Sequence, residues 1–480
     1  MIWLIAKHTV LKNLYDYRFV ILYVVAIVMM ALSAVMSSHD LEQTLTHYNR
    51  LRNLAAREAN LDKVIVVKPP SPLRFIHTDV DDQLPDYLVI SPGFADYPVE
   101  DVQLKPLSQI GEHLDWTFLF TYLFSILGLL LTFDLVSGET ERGTLKLVLS
   151  FGPSRSDYLM GSLVGTLLTI LPIIFIGCAL NLLIISLNAP LTRDQEWEKI
   201  GSAILISSLL TVVLMAIGLA ASTLSVKSST SFLLALMVWV MLVIVIPIGS
   251  VLVAQQVVTI PTATELEAEI QRARQLFFAQ LYPLSSEELR EIDERNDLTD
   301  AEKRQKVAEL QEMIDRQDLA ALARYHKRLI DIRESYLKQL LRQVEVANAI
   351  ARISPIAAYR EAMSAITGTG LPAQKFFYER AKQYMHSYTS YVTPLREKLR
   401  HRAEIEGIRI MDRGYEIRDV QAISWKNVEF DRNSLPRFEA GEMPISTALR
   451  LSLRGVGFLV ASIALALLLS YFKFVRYPVA

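Results

Sequence analysis

The stretch FVILYVVAIVMMALSAVMSS, residues 19–38, carries no charged side chain and is long enough to cross a lipid bilayer. Its small-residue end, ALSAVMSS, resembles the cleavage site of a secretory signal. The preceding MIWLIAKHTVLKNLYDYR, however, is longer and more apolar than the basic segment of such a signal. We therefore predict an uncleaved span over 19–36, preceded by an amphipathic helix over 1–18 on the membrane surface.

The rest of the chain divides into apolar and charged parts. It has 480 residues, a formal net charge of −2, 51% apolar residues and a positive mean hydropathy. Charged residues are nearly absent from several stretches of span length and dense through 262–445. This division indicates a membrane protein with a large water-facing part. Nothing in the charge supports nucleic-acid binding, and the single cysteine, Cys178, allows no intramolecular disulfide.

Apolar runs of span length recur along the chain, and we predict six membrane spans in all. The third run is too long for one straight span, so it is either tilted or broken near Pro172. The fifth contains Pro247, where we expect a kink. The predicted spans cover residues 19–36, 116–136, 158–187, 200–222, 231–253 and 455–472.

Lysine and arginine residues near the span ends fall mainly on one side, which predicts that both chain termini are cytoplasmic. Residues 137–157 and 473–480 are then a cytoplasmic loop and tail, and residues 37–115 and 254–454 are extracytoplasmic inserts. Arg450 and Arg454, on the outer side of the last span, run against this pattern. The residues that set the orientation are Lys7, Lys12, Arg18, Arg142, Lys146, Arg155, Lys227, Lys473 and Arg476.

The two inserts differ in pattern. The first begins helically and continues with the apolar runs KVIVV and DYLVI, separated by proline-rich loops, which predicts a small mixed α/β insert. The second is mostly helical, with predicted capping boxes at Ser285 and Thr299. Residues 299–354 contain no glycine or proline, so they form either one helix of about 80 Å or a hairpin broken near 317–318. The predicted fold class is a mainly α membrane protein.

The longest predicted cytoplasmic connection is SGETERGTLKLVLSFGPSRSDYLMG, residues 137–161. Its GTLKLVLS part can form a short helix with Leu145 and Leu149 on one face. Ser154 can cap the next helix, with Asp157 in its first turn. Two interpretations stay open on physical grounds: a helix that offers a face to a soluble partner, or a connection whose apolar face rests on lipid headgroups.

The longer stretch DLVSGETERGTLKLVLSFGPSRSDYLMGSLVG, residues 134–165, resembles the signature loop of type-2 ABC-exporter permeases. That loop carries the pattern D-x-x-S-G-E-x-E-x-G-T-L, followed by a serine–arginine turn. The resemblance implies six spans, an N-terminal amphipathic helix and a coupling helix that docks on a separate ATPase. The residues it implicates in coupling are Glu139, Glu141, Arg142, Gly143, Thr144, Leu145 and Arg155.

Scattered stretches also resemble one branch of that family, which has large extracytoplasmic inserts after spans one and five. Members of this branch carry a domain of unknown function and sometimes a multicopper-enzyme-maturation label. The stretches are VVKPPSPLRF, LPDYLVISP, ISPIAAYREAMSAITGTG and SLPRFEAGEMPISTALR. Within the signature loop, the resemblance favours Glu139, Glu141 and Arg142 as ion-pair partners of the ATPase. The alternative is plain solvated charge.

The sequence offers no catalytic or metal site of its own. It lacks the G-x-x-x-x-G-K-[ST] loop, so ATP and Mg would be bound by the partner ATPase, and we predict no cofactor on this chain. The eight histidines are scattered and no H-E-x-x-H occurs, so no metal site is predicted. No G-x-S-x-G elbow suggests a hydrolase.

Three further features allow two readings each. Gly161 and Gly165 permit close helix packing, either within the subunit or at a dimer seam. Asn181 is a polar residue in the middle of the third span, where it either lines a pathway or forms an interhelical hydrogen bond. The aromatic run QKFFYERAKQYMHSYTSYV, residues 374–392, either forms a core or grips a cargo or partner.

These features together predict the membrane subunit of an ATP-driven exporter in a bacterial inner membrane. It would pair with an ABC ATPase and with a second permease chain, identical or related. The first alternative is a mechanical transmitter without a transport lumen, in which the outer helical domain acts on a periplasmic partner. The second is a membrane scaffold unrelated to ABC systems.

Overall fold

The computed structural model of the chain describes residues 1–78, 86–92, 94–96, 114–150, 152–188, 194–280, 292, 299–405, 409–411, 422–424, 428 and 430–476. The helices are α1 (Ile2–Tyr15), α2 (Tyr17–Glu58), α3 (Trp116–Leu130), α4 (Ser137–Glu141), α5 (Thr144–Ser150), α6 (Arg155–Asn188), α7 (Asp194–Leu224), α8 (Ser228–Val257), α9 (Ala263–Gln280), α10 (Asp300–Ala351), α11 (Pro355–Thr367), α12 (Leu371–Ile405) and α13 (Ile445–Val475). The strands are β1 (Val64–Val67), β2 (Tyr87–Ser91), β3 (Phe94–Asp96), β4 (Arg409–Met411) and β5 (Ala422–Ser424).

Five helices of the described chain are long and apolar enough to cross a membrane: α2, α6, α7, α8 and α13. The second predicted span, 116–136, is not one regular helix. Its helix, α3, ends at Leu130 and contains a π-helical turn over Leu119–Phe124, and turns follow through residue 136. Within this segment the Thr132 hydroxyl bonds back to the carbonyl of Gly128 at 2.9 Å, a local contact that commonly accompanies distorted helix ends.

The two prolines inside predicted spans have different effects. Pro172 lies within α6, which continues unbroken from Arg155 to Asn188. Pro247 follows a π-helical turn over Met241–Val245 in α8. A proline removes one backbone donor and crowds the carbonyl four residues earlier, and an extra residue in the preceding turn relieves that crowding. The irregularity expected at Pro247 is therefore a π-helical turn.

The first insert contains the two predicted strands. α2 continues past the expected span end to Glu58 because no glycine or proline interrupts residues 37–58. β1 then pairs antiparallel with β2, with Val64 opposite Ile90, and β2 pairs with β3. Alternate side chains of β1 and β2 pack on opposite sides of the sheet, with Val66 and Leu88 in one hydrophobic cluster and Ile65 and Val89 in another.

The sheet of the first insert and the helix α12 of the second insert share one hydrophobic core. Val66, Leu88 and Ile90 from the sheet pack with Phe377 and other side chains of α12. The aromatic run at 374–392 is largely core: Phe377, Tyr384 and Tyr388 are buried. The Tyr384 hydroxyl donates to the carbonyl of Pro436 and that of Tyr388 to the carbonyl of Asn60, each at 2.8 Å.

Residues 254–454, predicted as one insert, contribute to two compact units. The chain forms two compact units, one of residues 1–249 with 350–480 and one of residues 250–349. In the second unit, Ile270 and Ala273 of α9 pack with Leu329 and Ile332 of α10. α10 is one continuous helix of 52 residues, which excludes the hairpin. Its predicted cap is present, since Thr299 and Glu302 bond reciprocally, while Ser285 lies outside the described residues.

Helix α11 is part of the core formed by the membrane spans, although its sequence predicts a position in the outer insert. Ile356, Tyr359 and Met363 are fully buried in that core because they share one apolar face of α11, whereas Arg360 and Glu361 lie on another side and are half-buried. The Tyr359 hydroxyl lies 2.9 Å from the Ser207 hydroxyl of α7. A Cβ at Gly455 of α13 would lie 2.3 Å from the carbonyl oxygen of Ala358, so this crossing requires glycine.

Candidate functional site

The signature loop folds as two short helices, α4 and α5, joined by a turn that contains Gly143. Gly143 has φ +73°, in the left-handed region that glycine adopts without strain. Gly152 has φ +94° before α6 begins. At that start the amide of Asp157 donates to the Ser154 hydroxyl at 3.0 Å, and the amide of Ser154 donates to the Asp157 carboxylate at 3.2 Å. The predicted cap is confirmed as a reciprocal capping box.

The entrance to the loop is fixed to the end of α7. The Ser222 hydroxyl accepts hydrogen bonds from the amides of Val136 and Ser137, at 2.9 and 3.0 Å. These are the amides of the N-cap residue and of the first residue of α4, where backbone donors lack helical partners. All three residues are buried, so the bonds are shielded from water and hold the entrance firmly.

Glu139 connects the loop to the N-terminal helix. Its carboxylate lies 3.3 Å from the ammonium nitrogen of Lys12 in α1, and it also accepts a hydrogen bond from the Thr144 hydroxyl. Burial acts to raise the pKa of Glu139, but the Thr144 hydrogen bond and the Lys12 charge together outweigh it. The net pKa of this carboxyl therefore lies below its ordinary value.

Glu141 connects the loop to the start of α8. Its carboxylate accepts a hydrogen bond from the backbone amide of Ser228 at 2.9 Å. That bond is the main cause of a pKa below the ordinary glutamate value, and Lys227 adds to it. Because the carboxylate also faces the positive end of α8, it stabilises the beginning of that helix.

Arg155 connects the start of α6 to the end of α13. One guanidinium nitrogen donates to the carbonyls of Phe474, at 2.8 Å, and Val475. These carbonyls lie at the C-terminal end of α13, where backbone acceptors lack helical partners and cations are favoured. The loop and its flanks are thus tied to α1, α7, α8 and α13.

The two sides of α5 face different surroundings. Leu145 is 1% exposed and packs in the core of the spans, whereas Leu147 is 59% exposed. Arg142 and Lys146 are also exposed. Of the three residues expected to face an ATPase, Glu139 and Glu141 therefore contact this chain itself. Arg142, Lys146 and Leu147 form the outward surface, which we name the loop face.

Gly161 and Gly165 pack within the chain. A Cβ at Gly165 would lie 2.6 Å from the carbonyl oxygen of Ala6 in α1, and one at Gly161 would lie 2.8 Å from that of Ile2. The two glycines therefore form the surface of α6 on which α1 lies. Asn13 strengthens the same contact, because its amide nitrogen lies 3.4 Å from the Thr169 hydroxyl.

Asn181 lies between α6 and α2. Its side chain is fully buried, and its amide nitrogen donates to the carbonyl of Met30 at 3.0 Å. Of the two roles that the sequence allows for Asn181, this contact is the interhelical hydrogen bond.

Sequence reasoning missed the partners of the loop, Lys12 and Ser222, since they lie far away along the chain and no local pattern marks them.

The spans and the loop together define a multi-span membrane protein whose main helical loop is tied to the ends of its own spans. The family described as ABC-2 family transporter protein matches residues 3–477, and the chain belongs to that family. A probable ABC transporter permease protein, NosY of Stutzerimonas stutzeri, is 33% identical over 127 residues. The alignment covers 26% of this chain and 46% of the relative, so the chain spans less than half the length of that protein. The resemblance drawn from residues 134–165 is confirmed at the level of the family.

Proposed function

We propose that this chain is the transmembrane permease subunit of an ATP-driven ABC exporter and that residues 137–157 couple it to a separate ATPase. One observation carries the proposal: the loop is bonded to α1, α7, α8 and α13 through Lys12, Ser222, Ser228 and the carbonyl of Phe474. A force on the loop is therefore delivered to the ends of several helices at once. A loop that merely connects two spans needs none of these bonds.

The loop face is the surface that the ATPase would meet. Leu147 offers an exposed apolar group and Arg142 an exposed cation, which suits a partner groove that is apolar with an acidic rim. Glu139 and Glu141 then serve as positioning residues that hold the loop to the spans. This assignment modifies the expectation that both carboxylates pair with the ATPase.

The same proposal includes an orientation of the chain in the membrane and a subunit composition of the complex. The loop and both termini lie in the cytoplasm, the inserts lie in the periplasm, and two permease chains pair with two ATPase chains in a bacterial inner membrane. ATP and Mg are bound by the ATPase. The charge distribution along the sequence supports the orientation, and the family membership supports the partner.

Co-purification with the ABC ATPase encoded beside the chain tests the proposal. We expect the double variant Arg142→Glu and Leu147→Asp to lose the ATPase while remaining monodisperse. The matched control changes Lys338→Glu and Leu341→Asp, an exposed cation and an exposed leucine of α10, and should retain it. Equal retention by both variants rejects the loop face as the docking surface, and failure of the parent chain to bind any candidate ATPase rejects the ABC role.

The continuous helix α10 favours the mechanical transmitter as a second candidate. A helix of 52 residues is about 78 Å long at ~1.5 Å per residue, more than twice a bilayer core. A transmitter needs this helix to be stiff, whereas a transporter does not. Prolines at the exposed positions Glu334 and Lys338 would break it. A variant that keeps ATPase binding and still complements a deletion of the gene rejects the transmitter.

A further inference from the structure

Helix α13 carries two arginines that the coupling role does not use. Arg450 and Arg454 are four residues apart, so their side chains lie on the same face of the helix, one turn apart. Both are exposed, and neither forms a hydrogen bond or ion pair with another residue in the described part of the chain. They are also the two cations that run against the charge pattern of the predicted orientation.

Their depth follows from the length of the apolar part of α13. Residues 455–472 contain no charged side chain and Lys473 follows them. These 18 positions measure about 27 Å at ~1.5 Å per residue, close to the ~30 Å of a bilayer core. Arg454 therefore lies where the hydrocarbon begins and Arg450 lies one turn further out, at the level of the lipid phosphates.

The surface around the two arginines is apolar. Leu453 is 64% exposed and Phe458 is 38% exposed, both beside Arg454. Gly457 follows Arg454 by about one turn on the same face, and a Cβ placed there would meet no other atom within 4 Å. The open space below the arginines thus continues along the helix into the hydrocarbon region. We name this surface, made of Arg450, Leu453, Arg454 and Gly457, the arginine face.

We propose that the arginine face binds one anionic phospholipid. The two guanidinium groups would hold the phosphate, because arginine pairs with phosphate oxygens through two parallel hydrogen bonds. An acyl chain would lie over Leu453 and Gly457. This proposal rests on α13 being a membrane span and is independent of ATPase docking.

Two other occupants fit the charges less well. A second copy of α13 packed in parallel would bring four arginines together and repel itself. A water-soluble acidic protein would match the arginines but would leave Leu453 and Phe458, which lie at or below the headgroup level, without a partner. A lipid would pair its phosphate with the two arginines and cover the apolar surface with an acyl chain.

Photo-crosslinking tests the occupant directly. The full chain with benzoylphenylalanine at Leu453 is placed in nanodiscs of phosphatidylcholine, with or without phosphatidylglycerol of the same acyl chains, and the adduct is weighed. We expect an adduct with the mass of phosphatidylglycerol that falls strongly in R450Q/R454Q and partly in R450K/R454K. The control K473Q/R476Q, at the other end of α13, should leave it unchanged.

Three outcomes would overturn the proposal. An adduct with a second copy or another protein would assign the surface to that partner. A lipid adduct that does not respond to the arginines would show ordinary boundary lipid only. Thermal stabilisation of the detergent-purified chain by inorganic phosphate, equal to that by phosphatidylglycerol, would assign the arginines to a free anion. Monodisperse elution of each variant excludes misfolding as the cause of a lost signal.

Discussion

The carboxylate of Glu139 lies 3.3 Å from the ammonium nitrogen of Lys12, which precedes it by 127 residues. The pair joins the N-terminal helix to the loop between the second and third apolar segments. Both side chains are partly buried, so the pair is more shielded than a surface ion pair. It is a direct contact through which a movement of the loop would reach α1, beside the packing of α1 on α6.

We expect Lys12→Met to destabilise the folded chain by about 0.2–1 kcal/mol, as for a partly exposed ion pair. Glu139→Gln should cost more, since it also weakens a charge-assisted hydrogen bond from Thr144, worth about 1.5–3 kcal/mol. A double-mutant cycle in detergent, followed by thermal denaturation, measures the coupling. The swapped pair Lys12→Glu with Glu139→Lys should recover part of the loss, and strictly additive effects would show that the two residues do not interact.

Two leucines of α5 offer the same substitution in opposite surroundings. Leu145→Ala should lower the free energy of unfolding by about 2–5 kcal/mol, because a buried side chain is removed from the core of the spans. Leu147→Ala should change it by less than about 0.5 kcal/mol, because that side chain is exposed. The comparison of both variants by thermal denaturation checks the orientation of the helix. Equal losses would mean that α5 is rotated relative to the structure described above.

Much of the fold can be predicted from local patterns. Uninterrupted apolar runs of span length mark α2, α6, α7, α8 and α13, and short apolar runs bounded by proline-rich loops mark β1 and β2. The location of α11 could not be predicted in this way. Its sequence is interrupted by Arg360 and Glu361 and is too short for a span, so its burial against α7 and α13 depends on tertiary packing. The core shared by the two inserts likewise joins Val66 to Tyr388, which no local signal connects.

In the candidate site, too, some features can be predicted from local sequence and others cannot. The turn glycine Gly143 and the Ser154–Asp157 cap follow from short-range chemistry and were predictable. The partners of Glu139 and Glu141 were not, since Lys12 and Ser228 are brought to the loop only by the packing of α1 and α8. Sequence reasoning therefore finds the loop but not which of its charges face outward.

Gly165 tests the packing of α1 on α6. Gly165→Ala should destabilise the chain by about 1–3 kcal/mol, because the new Cβ would overlap the carbonyl of Ala6 and push α1 away. The control Gly201→Ala, in α7, meets no atom within 4 Å and should be neutral or slightly stabilising, since alanine favours helix. Thermal denaturation of both variants measures the difference. Equal stability of the two would contradict the close contact of α1 with α6.

The buried phenols of the shared insert core predict a sensitivity to alkaline pH. Burial raises the pKa of Tyr384 to about 12 and also raises that of Tyr388. A group whose folded pKa is raised contributes stability that is complete below its unfolded pKa, about 10. That contribution is lost as pH rises towards the folded value, so stability should fall between about pH 10 and 12.

Denaturant unfolding of the full chain at a series of pH values, with tyrosinate absorbance as a second signal, measures this effect. Tyr384→Phe should cost about 1 kcal/mol near neutral pH through the lost bond to Pro436 and should weaken the alkaline decline. Tyr391→Phe changes an exposed tyrosine of the same helix and serves as the control. A pH profile unchanged by Tyr384→Phe would place the alkaline sensitivity elsewhere.

Substitution of Asn181 distinguishes a role in helix packing from a role in a transport pathway. If its hydrogen bond to Met30 only joins α6 to α2, Asn181→Leu should cost about 0.6 kcal/mol, the average for such bonds between membrane helices. ATPase stimulation and complementation of a gene deletion should then be retained in full. The matched variant Ser186→Leu changes a polar residue of α6 that is exposed and bonds only within its own helix. Normal stability with lost complementation in Asn181→Leu, but not in Ser186→Leu, would instead show that this buried amide lies on the path of a cargo.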